Sequence, residues 1–259
     1  MVRSACHSLT GVSTPIRTLF DSHSHNAPHE VESAAPVPPI EAVVFDFSNT
    51  VFHIIEVGEW LRRVASASAR PDALADPDAL AAVVAELTEA YLRPEVYALQ
   101  PGRDLSIEAH RRAMYAWFGA VAFLHGHEEA AYEVMAAVDA WLPYPDTGPV
   151  LHALAQRGIR SGIVSNIGFD VRPHLAHHGL ASLVGTYALS YEVGREKPDP
   201  LIFRTACTAL GVDPRRTLMV GDSAGHDGGA VAAGLRTFLL PGEHRTGERG
   251  LHQVLQLVA

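Results

Sequence analysis

Lysine is almost absent from this 259-residue chain: of its 20 strongly basic residues, only Lys197 is a lysine. A lone lysine in a chain that otherwise uses arginine marks a position that needs a compact ammonium, which a broad guanidinium fork cannot replace. Cysteine is nearly missing too. Cys6 and Cys207 are the two present, which excludes a disulfide framework and a cysteine-rich metal cluster. The default setting is then reducing and cytoplasmic. An excess of positive charge is also lacking. The formal net charge is −9, which argues against an electrostatic grip on nucleic acid. A small anionic substrate would need a locally positive site. No uncharged apolar run approaches the roughly 18 residues of a membrane span, and the first residues lack the apolar core of a signal peptide. The chain is expected to act in the cytoplasm as a monomer or homodimer on a small molecule, with no nucleic-acid or membrane partner.

What is present is ordinary for a globular protein with a sizeable core: 47% hydrophobic and 19% charged residues. Residues 1–39 are rich in Ser, His and Pro, without sustained apolar period. They read as a disordered tail, with His23, His25 and His29 incidental to it rather than metal ligands. The apolar run 40–47 reads as a buried parallel strand. Residues 57–142 are helical in pattern, with stretches starting at Glu59, at Asp76, at Ser106 (an N-cap) and at Glu128. Two prolines in Pro143-Tyr144-Pro145 end that block and mark a return hinge. Strands then alternate with helices: strands at 160–165, 187–190, 217–221 and 236–240, helices at 147–157, 170–178, 199–210 and 227–234. The predicted fold is α/β. A three-layer, Rossmann-like core of parallel sheet (40–56 and 143–259) carries an all-helical insertion (57–142).

Ligands of such sheets bind beyond the carboxyl ends of the strands. Asp46, Ser165 and Asp222 all fall at or just past such ends. Asp46 can attack phosphorus and form an aspartyl-phosphate. The hydroxyl of Ser165, with Asn166 beside it, can donate to phosphoryl oxygens. Lys197, stiffened by Pro198, can bridge the nucleophile and the transferring group. Asp222 follows a strand and a Gly221 turn, with Asp227 five positions on. With Asp46 they make the hard oxygen cage that Mg²⁺ takes. Each residue also has a simpler reading as a turn or cap, and the ordered set is what favours chemistry. In the insertion, Arg103, His110 and Arg111 are candidate contacts for a substrate anion or hydroxyl. Arg172, His174, His177 and His178 read as an exposed helix end.

In order and type, Asp46 with Thr50 four residues on, Ser165, Lys197 and the Gly221-Asp222-Ser223 turn with Asp227 resemble the motifs of the haloacid dehalogenase superfamily. The helical insertion is similar to the cap that closes the site in many members. The resemblance implies a Mg²⁺-dependent phosphatase with Asp46 as nucleophile. It also implies Ser165 and Lys197 as phosphoryl holders, Thr50 and Asn166 as supporting contacts, and metal bound by Asp46, the Ser48 carbonyl, Asp222 and Asp227. One departure stands out. Most phosphatases of the superfamily carry an acid/base aspartate where this chain has Ser48. Losing such help typically costs on the order of 10²–10⁴ in rate. A substrate with a good leaving group would need no acid. A haloacid dehalogenase using the same nucleophile is the alternative enzyme, although Asp222 and Asp227 count against it. A catalytically weak, ligand-binding relative is the alternative outside enzymes. The phosphonate-cleaving branch is excluded, because the insertion has no lysine.

Overall fold

The computed structural model describes residues 37–242 and 247–258. Most of the predicted tail, with Cys6 and the three early histidines, lies outside the described residues. Along the chain come β1 (Ala42–Phe45), β2 (Phe52–Ile54), α1 (Val57–Ala67), α2 (Pro77–Tyr91), α3 (Pro94–Tyr97), α4 (Ile107–Gly119) and α5 (Glu128–Ala136). There follow β3 (Trp141–Pro143), α6 (Thr147–Gln156), β4 (Arg160–Ser165), α7 (Arg172–His177), β5 (Thr186–Leu189) and α8 (Ser190–Val193). The last are α9 (Pro200–Leu210), β6 (Thr217–Gly221), β7 (Arg236–Leu239) and α10 (Val254–Leu257).

The five long-range strands form one parallel sheet in the order β5-β4-β1-β6-β7. All four residues of β1 are buried, and the strand divides its side chains by the two-residue period of the pleat. Val43 and Phe45 join a core with Val150, Leu151 and Leu154 of α6 and Leu175 of α7. Ala42 and Val44 join a second core with Ile202, Phe203 and Ala206 of α9. The sheet is therefore covered on both faces, which explains why β1 reads as an unbroken apolar run. From β1 the chain builds outward to β4 and β5, then crosses to β6 and β7 on the other side. The switch in direction falls between β1 and β6, where ligands of open α/β sheets bind.

The insertion contains the helices its sequence pattern predicts. Ser106 caps α4, accepting from the Ala109 amide at 3.0 Å. Asp76 caps α2 at Asp78 N, with Pro77 in the first turn, where its missing N–H is harmless. One part of the pattern was not legible. Residues 52–54 and 141–143 pair as a short antiparallel ribbon, too brief for alternation to register. The ribbon ties the two ends of the insertion together and includes Pro143 of the expected return hinge. A second difference concerns the histidines of α7. His174 is 2% exposed, not part of an open helix end. Its Nε2–H donates to the Ala136 carbonyl at 3.1 Å, and His178 Nε2–H donates to the Trp141 carbonyl at 2.9 Å. Both rings fasten the returning end of the insertion to the sheet's helical layer. A segment ending in α10, where no element was expected, packs Leu251 and Val254 into the larger core.

The helical block also meets the loop after β4 at Gly168. A Cβ added there would lie 2.2 Å from the Cβ of His110 on α4. Gly168→Ala should therefore push α4 away and lower stability by about 1–3 kcal/mol. Urea denaturation followed by circular dichroism measures this, and an unshifted midpoint would show that the close approach is absent.

Candidate active site

Asp46 stands one residue beyond β1. Its amide continues the sheet by donating to the Val220 carbonyl at 2.9 Å, so the side chain starts from a rigid strand end. Its Oδ1 accepts from the Phe47 amide at 2.7 Å and from Lys197 Nζ at 2.8 Å. The same ammonium donates to Asp227 Oδ1 at 2.7 Å. Lys197 is 3% exposed and Asp227 is fully buried. The other carboxylate oxygen of Asp227 accepts from the Ser223 amide at 2.9 Å, which closes the turn after β6. Gly221 makes that turn possible, since a Cβ there would sit 2.2 Å from the Asp227 carboxylate.

Asn166 positions the lysine loop. Its Oδ1 accepts from the Lys197 amide at 2.7 Å, and its Nδ2 donates to the Lys197 carbonyl at 3.1 Å. That two-point clasp fixes the backbone of residue 197 to the end of β4. The loop after Asp46 turns back through Asn49, whose φ of 55° lies in the left-handed region that asparagine tolerates. The buried guanidinium of Arg249 holds this loop by donating to the Asn49 carbonyl at 2.6 Å. Asp146 in turn accepts the amides of Arg249, Gly250 and Leu251 at 2.7–3.0 Å.

Asp46, Asp222 and Asp227 each present an oxygen within 4.8 Å of the others. Burial pushes the Asp46 carboxyl up to about 6, with Asp227 and Asp222 adding repulsion and Lys197 opposing. Burial also raises Asp222, again helped by Asp227. Burial by itself would depress Lys197, but the attraction of Asp46 and Asp227 outweighs it and holds the ammonium above its ordinary range. Three carboxylates against one ammonium leave negative charge uncompensated in a desolvated place. An all-oxygen set with that imbalance suits a hard divalent cation. These three carboxylates could hold such an ion.

These groups open into a cavity of about 390 Å³. Asp46, Ser48, Asn166, Lys197 and Asp222 line it, and from the insertion come Arg103 and Asp104. Glu196 and His226 also line it. These two and Asp104 were not singled out from the sequence, where nothing set them apart from other surface charges. Asp104 anchors the insertion here. Its amide donates to Glu196 at 3.2 Å and its carbonyl accepts from Ser190 Oγ at 2.6 Å. Burial raises the carboxyls of both Asp104 and Glu196.

The remaining candidates fall elsewhere. Ser165 is buried at the end of β4, and Thr50 is fully buried, its hydroxyl without a hydrogen-bond partner among the described residues; neither is among the residues lining the cavity. Arg111 is not brought to the site. Its guanidinium pairs with Glu129 on the open face of α4 and α5, since one turn of α4 points His110 inward and Arg111 outward. His110 is buried behind the cavity wall. Its Nδ1 lies 2.9 Å from the Tyr132 hydroxyl, and its Nε2 lies 3.7 Å from Asp104.

A family model described as haloacid dehalogenase-like hydrolase matches residues 40–234. The chain belongs to this family. It is 34% identical over 110 residues to a glyceraldehyde 3-phosphate phosphatase of Methanothermobacter thermautotrophicus, covering 41% of this chain and 48% of that one. It is 39% identical over 95 residues to a phosphoserine phosphatase of Thermus thermophilus, covering 36% and 38%. The chain thus spans about half, or less, of the length of these curated relatives. Among solved structures, 2-haloacid dehalogenase from Pseudomonas syringae pv. Tomato DC3000 shares the fold, with a TM-score of 0.57, 23% identity and coverage of 85% and 98%. Its α/β core built on a parallel sheet agrees with this membership. Among the described residues, no helix is long and apolar enough to cross a membrane.

His110 makes the site region sensitive to acid. Burial lowers its pKa to about 4, with Arg103 adding to the effect. The unfolded chain, with an ordinary histidine near 6.5, takes up the proton first. The stabilisation is therefore complete above about pH 6.5 and is lost as pH falls toward 4. Thermal melts should show wild type losing on the order of 2–3 kcal/mol more than His110→Gln between pH 7 and 4. Parallel pH profiles would contradict a buried neutral ring.

Proposed function

We propose that the protein is a Mg²⁺-dependent phosphatase acting on a small phosphorylated substrate through an aspartyl-phosphate on Asp46. The observation that carries this reading is the buried Asp46–Lys197–Asp227 chain, with Asp222 alongside, at the switch point of the sheet. The relatives named as phosphatases support the same class.

In this reading an oxygen of Asp46 attacks phosphorus, and the bond from phosphorus to the substrate oxygen breaks. Lys197 lies between the nucleophile and the incoming phosphoryl oxygens and offsets charge on both. Asn166, which lines the cavity, contacts the phosphoryl group at the end of β4, while Ser165 and Thr50, both buried outside the lining, support the strand end and the nucleophile loop from behind. Water then displaces the phosphoryl group from Asp46 and regenerates the carboxylate. Asp46, Asp222, Asp227 and the Ser48 carbonyl would hold Mg²⁺, which supplies charge neutralisation between nucleophile and phosphoryl group. Residues 57–142 act as a cap over the core formed by 40–56 and 143–259. They exclude water and bring Arg103 to the substrate. Ser48 has no side chain able to protonate a leaving oxygen near neutral pH, so hydrolysis of ordinary alkyl phosphates is slow.

A dehalogenase reading keeps the same nucleophile and is favoured by Ser48, because halide displacement needs no acid at that position. Asp222 and Asp227 weigh against it, because displacement of halide by Asp46 needs no extra negative charge beside the nucleophile.

Assays of phosphate release with acetyl phosphate and with alkyl phosphates decide between them. Asp46→Asn should lower turnover by at least about 10³-fold. Chelation should abolish activity, with Mg²⁺ restoring it. Ser48→Asp should speed alkyl phosphate hydrolysis by roughly 10-fold or more, as restored acid–base help would. Chloride release from a 2-haloacid, unchanged by chelator, would establish the dehalogenase instead.

A further inference from the structure

A second cavity, of about 310 Å³, shares Ser48 and Asn49 with the polar one and no other lining residue. Its character is opposite. Trp60, Trp117, Phe118, Leu87, Met135 and Ile54 dominate its wall, and no lysine or arginine lines it. His53 and Glu56 are its ionisable groups.

The indoles present carbon rather than N–H to this space. Trp60 Nε1–H donates to the Ala131 carbonyl at 3.3 Å, and Trp117 Nε1–H donates to the Leu87 carbonyl at 2.8 Å. Their polar edges are thus satisfied by the helical block itself. The rings of Trp60 and Trp117 lie 5.2 and 5.5 Å from that of Phe118, at the spacing of aromatic packing. An apolar cavity of about 150 Å³ takes benzene, so this one has room for a group of one or two rings. Met135 can adapt to its outline.

Two independent facts now meet at residue 48. The chain lacks an acid there, which demands a leaving oxygen that departs without a proton. The aromatic cavity opens at the same residue. A phenolic oxygen, with a pKa near 10, leaves as its anion far more readily than the oxygen of an aliphatic alcohol. We propose that the substrate is a phosphate monoester of a phenol, its ring among Trp60, Trp117 and Phe118 and its leaving oxygen beside Ser48. This rests on the phosphatase reading and specifies its substrate class. As an Asp46 oxygen bonds to phosphorus, the bond from phosphorus to the aryl oxygen breaks. The aryl oxide keeps the electron pair and takes its proton from water. A second water then attacks phosphorus, the Asp46 oxygen departs as carboxylate, and the water's proton passes to solvent.

The test uses the full chain with Mg²⁺ and compares kcat/KM for 1-naphthyl phosphate, phenyl phosphate, phosphoglycolate and acetyl phosphate. The expected result is a preference for 1-naphthyl phosphate over phosphoglycolate of about 100-fold or more. Trp117→Ala should lower that preference at least 10-fold, mainly through KM. Ile54→Arg, at a position already 37% exposed and so tolerant of change, should do the same by placing a charge in the cavity. Ser48→Asp should narrow the gap, since a restored acid helps the poorer leaving group more. Binding is read separately from quenching of tryptophan fluorescence in the wild type by 1-naphthylphosphonate, which should bind at least 10-fold tighter than inorganic phosphate. Turnover of acetyl phosphate with no preference for the aryl esters, or equal binding of the two probes, overturns the substrate class and leaves the phosphatase standing. No phosphate from any of the four overturns both.

Discussion

A single ammonium buried between two carboxylates organises this protein. Lys197 reaches Asp46 and Asp227 at nearly equal distance, and these side chains come from three segments far apart in the chain. Burying any one of them alone would be prohibitive, because an isolated charge in a protein interior costs several kcal/mol. Together they are mutually compensated, and breaking the group by removing one partner would leave the others exposed to that penalty. The sheet end, the Asn166 clasp and the Gly221 turn all exist in forms that bring these charges within hydrogen-bond reach. Arginine could not stand at 197, since its longer fork would not fit between two carboxylates already held by backbone amides.

The compensation is incomplete, and the shortfall has chemical meaning. Asp222 adds a further carboxylate whose pKa is raised by burial. Unbalanced negative charge under a cavity favours a cation there.

The helical block contributes in two ways. Through Asp104 it closes against the lysine loop at Ser190 and Glu196, lining a polar space with Arg103 and paired carboxylates. Through Trp60, Trp117 and Phe118 it forms an apolar space lined also by Ser48, two residues from Asp46. Ser48 and Asn49 touch both, so the short loop after Asp46 is where the charged core meets the selective insertion. Arg249 reaches that loop from the far end of the chain, which makes the C-terminal segment part of the site's support.

Much of this was legible in the linear sequence, for a local reason. Strand β1 is a continuous apolar run and β6 nearly one because both faces of the sheet are covered, while β4 shows only the pair Ile163-Val164 between small and polar residues. Ser106, Asp76 and Asp199 cap their helices through contacts two or three residues away. The isolation of Lys197 among arginines is a fact of composition, visible before any fold. Other features depend on chain segments meeting in space, and no local pattern carries them. The β2–β3 ribbon joins residues nearly 90 positions apart and is too short for alternation to reveal. Whether His110 or Arg111 faces inward depends on the rotation of α4 against Gly168. His174 and His178 resemble surface histidines until Ala136 and Trp141 supply carbonyls for them. Asp104, Glu196 and Arg249 look like any other surface charges in the sequence. The sequence thus determined which groups could do chemistry and the sheet that carries them. Only the packing of distant segments decided which charges were desolvated together and which faces of the helices closed over them, because desolvation and charge pairing arise from the three-dimensional neighbourhood and leave no periodic trace along the chain.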